Sequence, residues 1–225
     1  MRTILRFFFD QLYHSCAWSY DLVAATVSLG HWRHWVRASL PFIRGRRVLE
    51  LAFGTGILQH ALLADERRLV AGIDESAQMA QITRRRLRRA GSRPANLARG
   101  RAQKLPYASE VFDSAVSTFP NEFIVDPATL SEAHRVLRPG GQLILLPVAW
   151  IVGYRLIDRA AAWLFKTTRQ TPDLAPEEVA RRFRTPLEQA GFTVTYEKID
   201  LGASSLLIIV GTKQAWGPGR RSARP

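Results

Sequence analysis

Short apolar segments alternate with longer helical patterns from about Arg47 onward, and this alternation constrains the fold of the 225-residue chain more than any other feature. Strands and helices in regular alternation are typical of a parallel sheet whose crossover connections are helices. We therefore expect an α/β fold with a doubly wound sheet. The length of the chain fits one such core and gives little reason to expect a second.

The apolar runs predict seven strands, and the helical patterns lie mostly between them. The expected strands are residues 48–52, 69–73, 96–98, 112–119, 142–148, 192–199 and 204–212. The expected helices are residues 57–64, 76–90, 127–137, 151–166 and 176–190. Because only a short link joins the last two strands, we expect a mostly parallel sheet that ends in an antiparallel hairpin.

Three regions follow from these patterns. Residues 1–46 form a helical N-terminal cap, and residues 47–212 form the sheet domain, with a helical insertion at 151–170. Residues 213–225 are rich in Gly, Pro and Arg and cannot bury an apolar face, so we expect a basic, disordered tail.

The charge of the chain predicts attraction to anionic surfaces. Lys and Arg number 32 against 19 Asp and Glu, which gives a formal net charge of +13. Nucleic acid and acidic lipid both fit this balance. The arginines at 84–86, 88 and 89 end a predicted helix. They are a solvated basic face in the simpler interpretation and a contact for anionic lipid headgroups in the alternative.

Other bulk features point to a cytoplasmic protein. Cys16 is the only cysteine, and no spaced Cys and His pairs suggest a structural zinc site, so we expect neither a disulfide nor a metal. Asp10 interrupts the N-terminal apolar stretch, which therefore does not resemble a signal peptide. No apolar run reaches the roughly 20 residues that span a bilayer. Any membrane contact is expected to be peripheral.

Glycines follow the first expected strand, where residues 50–56 read ELAFGTG. Gly54 and Gly56 would let the backbone approach a ligand closely at a helix N-terminus, although any tight turn uses glycine. Asp74 ends the second strand about 20 residues later, a placement that suits hydrogen bonds from both hydroxyls of a ribose. Gln59 replaces the third glycine of a dinucleotide loop. An adenosine-type ligand other than NAD or FAD is thus predicted.

Residues 48–148 resemble the class I S-adenosylmethionine-dependent methyltransferases of the domain 11 type. Glu50, Gly54 and Gly56 match the acidic residue and the glycines of their first motif. Three further segments match at residues 103–107, 111–116 and 135–141. The resemblance implies a Rossmann-like fold, methyltransferase activity and S-adenosylmethionine as the cofactor.

Two positions depart from this family pattern. Ala52 stands where the family usually has its first glycine, which is sterically tolerable if its φ stays negative. Arg101 replaces an Asp that binds the adenine amino group, and a guanidinium cannot accept a hydrogen bond. Gln103 or a backbone carbonyl is the expected substitute.

The resemblance also implies which residues bind the cofactor. They are Tyr20, Glu50, Ala52, Phe53, Gly54, Gly56, Asp74, Glu75, Met79, Ala102, Gln103, Thr118 and Phe119. Transfer to a ring carbon requires loss of a proton, and Glu122 and Asp126 are the nearest acids after the fourth strand. We take Glu122 as the candidate catalytic base, although Asn121 and Glu122 could instead cap the next helix.

The N-terminal residues 20–22 and 28–35 resemble the element before the core in the ubiquinone and menaquinone biosynthesis C-methyltransferases. Their aromatic side chains, including Trp32 and Trp35, could equally pack a helix on the sheet or line a pocket. The amphipathic helix at 151–166 suits a membrane interface or a cap over the pocket. These features favour a small hydrophobic acceptor, such as a quinone precursor or a lipid.

Two other functions remain open at this point. The net charge would suit an RNA methyltransferase, but no RNA-binding module is recognisable, and nucleic acid is not the expected partner. Ala52 and Arg101 would suit a module that binds adenosine without catalysis. The sequence does not indicate an oligomeric state.

Overall fold

The computed structural model describes Ser28, residues 30–151 and residues 175–214. The strands are β1 (Arg47–Leu51), β2 (Leu69–Asp74), β3 (Asn96–Arg99), β4 (Phe112–Thr118), β5 (Leu137–Ile151), β6 (Phe192–Asp200) and β7 (Ser204–Lys213). The described helices are α1 (Trp32–Arg37), α2 (Ile57–Leu63), α3 (Ala77–Arg89), α4 (Pro127–Val136) and α5 (Pro176–Gln189). Short 3₁₀ turns lie at Leu40–Phe42 and Glu122–Val125.

The seven strands form one sheet in the order β3-β2-β1-β4-β5-β7-β6. The pairs among β1 to β5 are parallel, whereas β7 runs antiparallel to both β5 and β6. This confirms the predicted Rossmann-like sheet with its antiparallel hairpin. The carboxyl ends of the parallel strands therefore meet at one edge, where open α/β sheets bind their ligands.

Apolar side chains cover both faces of the sheet. Alternate residues of β1 divide between the faces, so that Leu49 and Leu51 join one core and Val48 joins the other. The first core is covered by α4 and α5, and the second by α1, α2 and α3. Burial on both faces explains why the central strands read as nearly continuous apolar runs.

Helix caps fix the segments that leave the site edge of the sheet. The Ser76 side chain accepts a hydrogen bond from the Met79 N–H at 3.2 Å and so begins α3, as predicted. Asp126 accepts from the Ala128 N–H at 2.9 Å and begins α4. Each cap satisfies a backbone donor that the first helical turn leaves unpaired.

Strand β5 is longer than its predicted bounds. It begins at Leu137, which pairs with Phe112, and a register shift then carries the strand past Gly140 at φ +77°. The Pro-Gly-Gly segment is therefore a strand irregularity, and α4 ends at Val136. Ile151 is the last residue of β5 and does not begin the inserted helix.

The rest of the insertion, the tail after 214 and most of the N-terminal cap lie outside the described residues. The predicted domain bounds thus stay predictions. Within residues 30–151 and 175–214, no helix combines the length and apolar character that crossing a bilayer requires.

Candidate functional site

The loop between β1 and α2 crosses the carboxyl end of β2. The Ala52 N–H donates to the Ile73 carbonyl at 2.8 Å, and the Gly54 N–H donates to Asp74 Oδ2 at 2.8 Å. Gly56, at φ +77°, is the N-cap of α2. These contacts bring the two sequence features that predicted an adenosine ligand, the glycines and Asp74, into direct contact.

Two residues of α3 hold the same loop from outside. Thr83 donates its hydroxyl to the Gly54 carbonyl at 2.7 Å, and Arg86 donates to Thr55 Oγ1 at 3.1 Å. Sequence reasoning missed both. The only available signal was a polar threonine on the inner face of α3 between Met79 and Leu87, both of which are buried.

Ala52 adopts a left-handed conformation, with φ +55°. The condition under which alanine would be tolerated without strain, a negative φ, is therefore not met. The chain must turn sharply after β1 so that the N–H groups of Ala52 and Gly54 reach the end of β2, and this turn sets the dihedral. For a residue with a Cβ, that conformation costs roughly 1–2 kcal/mol.

Asp74 is buried, and both of its carboxylate oxygens accept backbone hydrogen bonds. Oδ2 accepts from Gly54 N, and Oδ1 accepts from Ser76 N at 2.9 Å. Burial raises the pKa of Asp74, and the two backbone N–H groups act in the opposite direction. An ionised carboxylate has about four lone-pair sites, so two sites remain for ribose hydroxyls.

Glu50 lies on β1 and is only 2% exposed. Burial raises its pKa well above the ordinary value, while Gln59 lowers it and Asp74 raises it further. Its Oε2 is buried without a hydrogen-bond partner among the described residues. A buried acceptor without a donor is rare in folded proteins and suits a cationic ligand group.

An open cavity of about 770 Å³ lies at the ends of β2 and β3. It is lined by residues 75–78 and 99–101. Arg101 is exposed there, 3.9 Å from Glu75 Oε2. The Gln103 amide donates to Asp126 Oδ2 at 3.0 Å, so its Nε2 is engaged at the start of α4.

The other predicted site residues lie in different settings. Met79 is fully buried and Ala102 nearly so, whereas Thr118 and Phe119 are half-buried at the end of β4. Glu122 is exposed on the 3₁₀ turn that Asn121 caps. Tyr20 lies outside the described residues. The structure thus brings the loop, Asp74 and the end of β4 to one edge of the sheet.

Aromatic side chains adjoin this edge beside β4. Trp32 stacks on Phe119 with 4.3 Å between ring centroids, and Phe119 has φ +49°. Trp35 is instead part of the core and donates its indole N–H to Ser204 Oγ at 2.8 Å. Both aromatics therefore pack on the sheet: Trp35 is buried in the second core, and Trp32 is half-buried against the same core beside Phe119, at the site edge.

Three observations fit this edge to an adenosine that carries an amino acid. Asp74 keeps acceptor capacity for ribose, and Glu50 offers a buried acceptor to an ammonium group. A Cβ added at Gly54 would meet no atom within 4 Å, which leaves open space above the loop. Among the residues described, no group of three or more His, Cys, Asp or Glu could hold a metal.

Comparison with known proteins decides the class. The model of the ubiE/COQ5 methyltransferase family matches residues 6–166. The chain belongs to the ubiE/COQ5 methyltransferase family. It is an S-adenosylmethionine-dependent methyltransferase, as its first motif predicted, and the reading as a module without catalysis is set aside.

Two curated relatives align with nearly the whole chain. A demethylmenaquinone methyltransferase of Symbiobacterium thermophilum is 29% identical over 92% of this chain and 93% of its own. A ubiquinone/menaquinone biosynthesis C-methyltransferase UbiE of Rubrivivax gelatinosus is 29% identical over 91% of this chain and 86% of its own.

Solved structures agree on the fold. A SAM-dependent methyltransferase from Aquifex aeolicus superposes with a TM-score of 0.57 at 18% identity, over 80% of this chain and 89% of that one. A geranyl diphosphate methyltransferase in complex with SAM superposes with a TM-score of 0.57 at 12% identity, over 80% of this chain and 85% of that one.

Proposed function

We propose that this methyltransferase transfers the methyl group to a ring carbon of a demethylated quinone precursor. The two relatives that align over most of the chain carry names of quinone biosynthesis. The observation in the molecule that supports the proposal best is the Trp32 and Phe119 pair at the site edge. A flat, apolar ring packs well against such a pair.

The conformation of Phe119 adds to this argument. A bulky residue at φ +49° is strained, and such strain is concentrated at functional sites. The Phe119 N–H donates to the Leu146 carbonyl at 2.7 Å, which fixes the backbone beyond β4. The ring lies against Trp32, beside the carboxyl end of β4 and Leu146 of β5.

The residues at the site have separate roles in this proposal. S-Adenosylmethionine supplies a methyl group already activated by the sulfonium. Asp74 would hold the ribose, Glu50 would receive the amino group, and the backbone of Gly54 would lie against the amino-acid part of the cofactor. Phe119 and Trp32 orient the acceptor and exclude water, which accounts for most of what this reaction needs from a protein.

A ring carbon that gains a methyl group must lose its proton. Glu122 stays our candidate for the group that accepts it, because it follows β4 directly on the turn at Glu122–Val125. Asp126 is less suited, since its oxygens accept from Ala128 N and from the Gln103 amide. The hydrogen bond from Gln103 is the main cause of a lowered pKa for Asp126, and the hydrogen bond from the Ala128 N–H adds to it.

Phe119→Leu tests the acceptor assignment in an assay with labelled S-adenosylmethionine and a reduced demethylmenaquinone of short side chain. We expect methylation by the unmutated enzyme and a rise in acceptor KM of about three- to tenfold in the variant, since aromatic packing contributes about 0.5–1.5 kcal/mol. Leucine meets the same backbone strain, so the change isolates the ring.

Phe183→Leu is the matched control, because Phe183 packs on the opposite core of the sheet. It should leave acceptor KM unchanged. If Phe119→Leu weakens binding of S-adenosylhomocysteine and leaves acceptor KM unaltered, Phe119 contacts the cofactor instead. No methylation of any quinol by the unmutated enzyme would contradict the proposed acceptor.

We also propose a peripheral contact with anionic lipid, where a hydrophobic acceptor would reside. Arg84, Arg85, Arg88 and Arg89 are exposed on α3, and residues 77–89 contain no acidic side chain. Each basic residue near an anionic surface contributes about 1 kcal/mol of attraction. The contact would be electrostatic and would weaken with salt.

Vesicle sedimentation tests this contact. Arg84→Glu with Arg88→Glu should reduce binding to phosphatidylglycerol vesicles by at least about tenfold, given the contribution per charge. Arg181→Glu with Arg182→Glu is the control, because these exposed arginines lie on α5 beside Glu177 and Glu178. Equal loss in both variants, or binding of RNA in preference to vesicles, would contradict the lipid assignment.

A further inference from the structure

Gln59 is a buried amide that the cofactor site described above does not use. It lies on α2 and has no exposed surface. Its Nε2 donates to the Ala71 carbonyl at 3.3 Å, whereas its Oε1 has no partner among the described residues. A fully buried carboxamide is costly unless it serves a neighbour.

That neighbour is Glu50. In the parallel register Glu50 of β1 is paired with Gly72 of β2, so both positions face the same side of the sheet. A Cβ added at Gly72 would lie 2.6 Å from Gln59 Nε2 and 2.8 Å from the ring of Phe53. The missing side chain of Gly72 therefore leaves the space that the Gln59 amide occupies beside Glu50.

None of the described groups that act on the Glu50 carboxyl is a cation. From β2 it faces the acid Asp74, and from β4 the paired residue is the apolar Val116. From α2 it faces Gln59, while the ring of His60 is engaged with Ser92 Oγ at 2.9 Å. In the part of the chain that the structure describes, only Gln59 favours the ionised form of this carboxyl.

We propose that Gln59 is a positioning residue that holds the Glu50 carboxyl ready to ionise, so that binding of the cofactor's amino group expels a proton from Glu50. This inference rests on the proposed cofactor site and is independent of the acceptor.

The physical basis is that an ammonium group replaces the proton on the Glu50 carboxyl. Burial favours the protonated form of Glu50 in the free enzyme, since a lone carboxylate in an apolar setting is unfavourable. An ammonium group beside the carboxyl favours the charged form. The O–H bond of Glu50 then breaks, its electron pair stays on the carboxylate, and the proton passes to solvent. The Gln59 amide lowers the free energy of this ionisation.

The sign of the pH dependence follows. Binding releases protons at pH values between the lower pKa of Glu50 in the complex and its raised pKa in the free enzyme. In that range the affinity rises with pH, and it levels off once Glu50 is ionised in the free enzyme as well. Calorimetry of S-adenosylhomocysteine in two buffers of different ionisation enthalpy, from about pH 5 to 7, measures this release.

Two variants define the result. Glu50→Gln keeps the volume of the side chain but has no carboxyl proton, so the release should disappear. Gln59→Met removes the amide and raises the pKa of Glu50, so the release should continue to higher pH. A rise of one pKa unit would weaken affinity by about tenfold in this range.

Gln142→Met is the matched control. Gln142 is another buried glutamine whose Oε1 has no partner among the described residues, and its Nε2 donates to Thr212 Oγ1 at 3.3 Å. It should leave the release unchanged. Tight binding by the unmutated enzyme without proton release, or the same shift from Gln59→Met and Gln142→Met, would overturn the inference. Failure of S-adenosylhomocysteine to bind at all would instead contradict the cofactor site.

Discussion

Asp74→Asn is expected to weaken binding of S-adenosylhomocysteine by about 100-fold or more, since hydrogen bonds to a charged group contribute about 1.5–3 kcal/mol each and two ribose hydroxyls are involved. The carboxylate already accepts from Gly54 N and Ser76 N. An amide of the same size must turn its NH₂ group toward one of these donors. Isothermal titration calorimetry measures the affinity, and thermal unfolding measures the accompanying loss of stability.

Asp113→Asn separates the loss of affinity from the loss of stability. Asp113 Oδ2 accepts from Arg46 N and Arg47 N, both at 2.8 Å, and Oδ1 accepts from Arg138 at 2.6 Å. Asp113 thus resembles Asp74 in its backbone contacts, but it lies near the amino end of β4, beside the start of β1. This variant should unfold at a lower temperature and bind the cofactor normally. Equal affinity losses at both positions would exclude a direct role for Asp74.

Gly56→Ala is expected to reduce the free energy of unfolding by about 2–5 kcal/mol, through positive φ and overpacking together. Gly56 has φ +77°, and an added Cβ would lie 2.5 Å from Thr83 Cγ2. Thr83 cannot easily withdraw because its hydroxyl donates to the Gly54 carbonyl. Urea unfolding monitored by circular dichroism measures the change.

Two other glycine variants separate the cost of the positive φ from the cost of the contact with Thr83. Gly91→Ala introduces a Cβ at φ +63° with no atom within 4 Å, far from the loop, and should cost only the strain. Gly54→Ala has the same open surroundings at φ +51°, but there the Cβ enters the space above the loop. It should therefore lower cofactor affinity more than stability. If Gly56→Ala is no more destabilising than Gly91→Ala, the contact with Thr83 does not constrain the loop.

Local patterns were sufficient for much of this molecule. The positions of β1 and β2 along the chain, the N-cap Ser76 and the pairing of the glycine loop with Asp74 depend on residues close in sequence, and each was predictable. The start of β5 was not, because Leu137 becomes a strand residue by pairing with Phe112. Pairing between distant segments overrides the local signal that Pro-Gly-Gly ends a helix and precedes the next strand.

At the site, too, the features that the sequence did not predict depend on contacts between separate elements. The φ of Ala52 is set by the hydrogen bond to Ile73 on the neighbouring strand, which no local pattern reports. The relation between Gln59 and Glu50 depends on the register that places Gly72 opposite Glu50. Thr83 and Arg86 reach the loop only because α3 packs beside α2. These residues become recognisable once the strand register is known.

The hydrogen bond from Trp35 to Ser204 joins residues that are 169 positions apart. A contact between residues so far apart in the chain can form only once both of them have been synthesised. On the ribosome, Ser204 emerges after every parallel strand and after the whole cofactor loop. Helix α1 therefore gains this buried anchor on the sheet only after β7 has been synthesised, later than every residue of the cofactor loop.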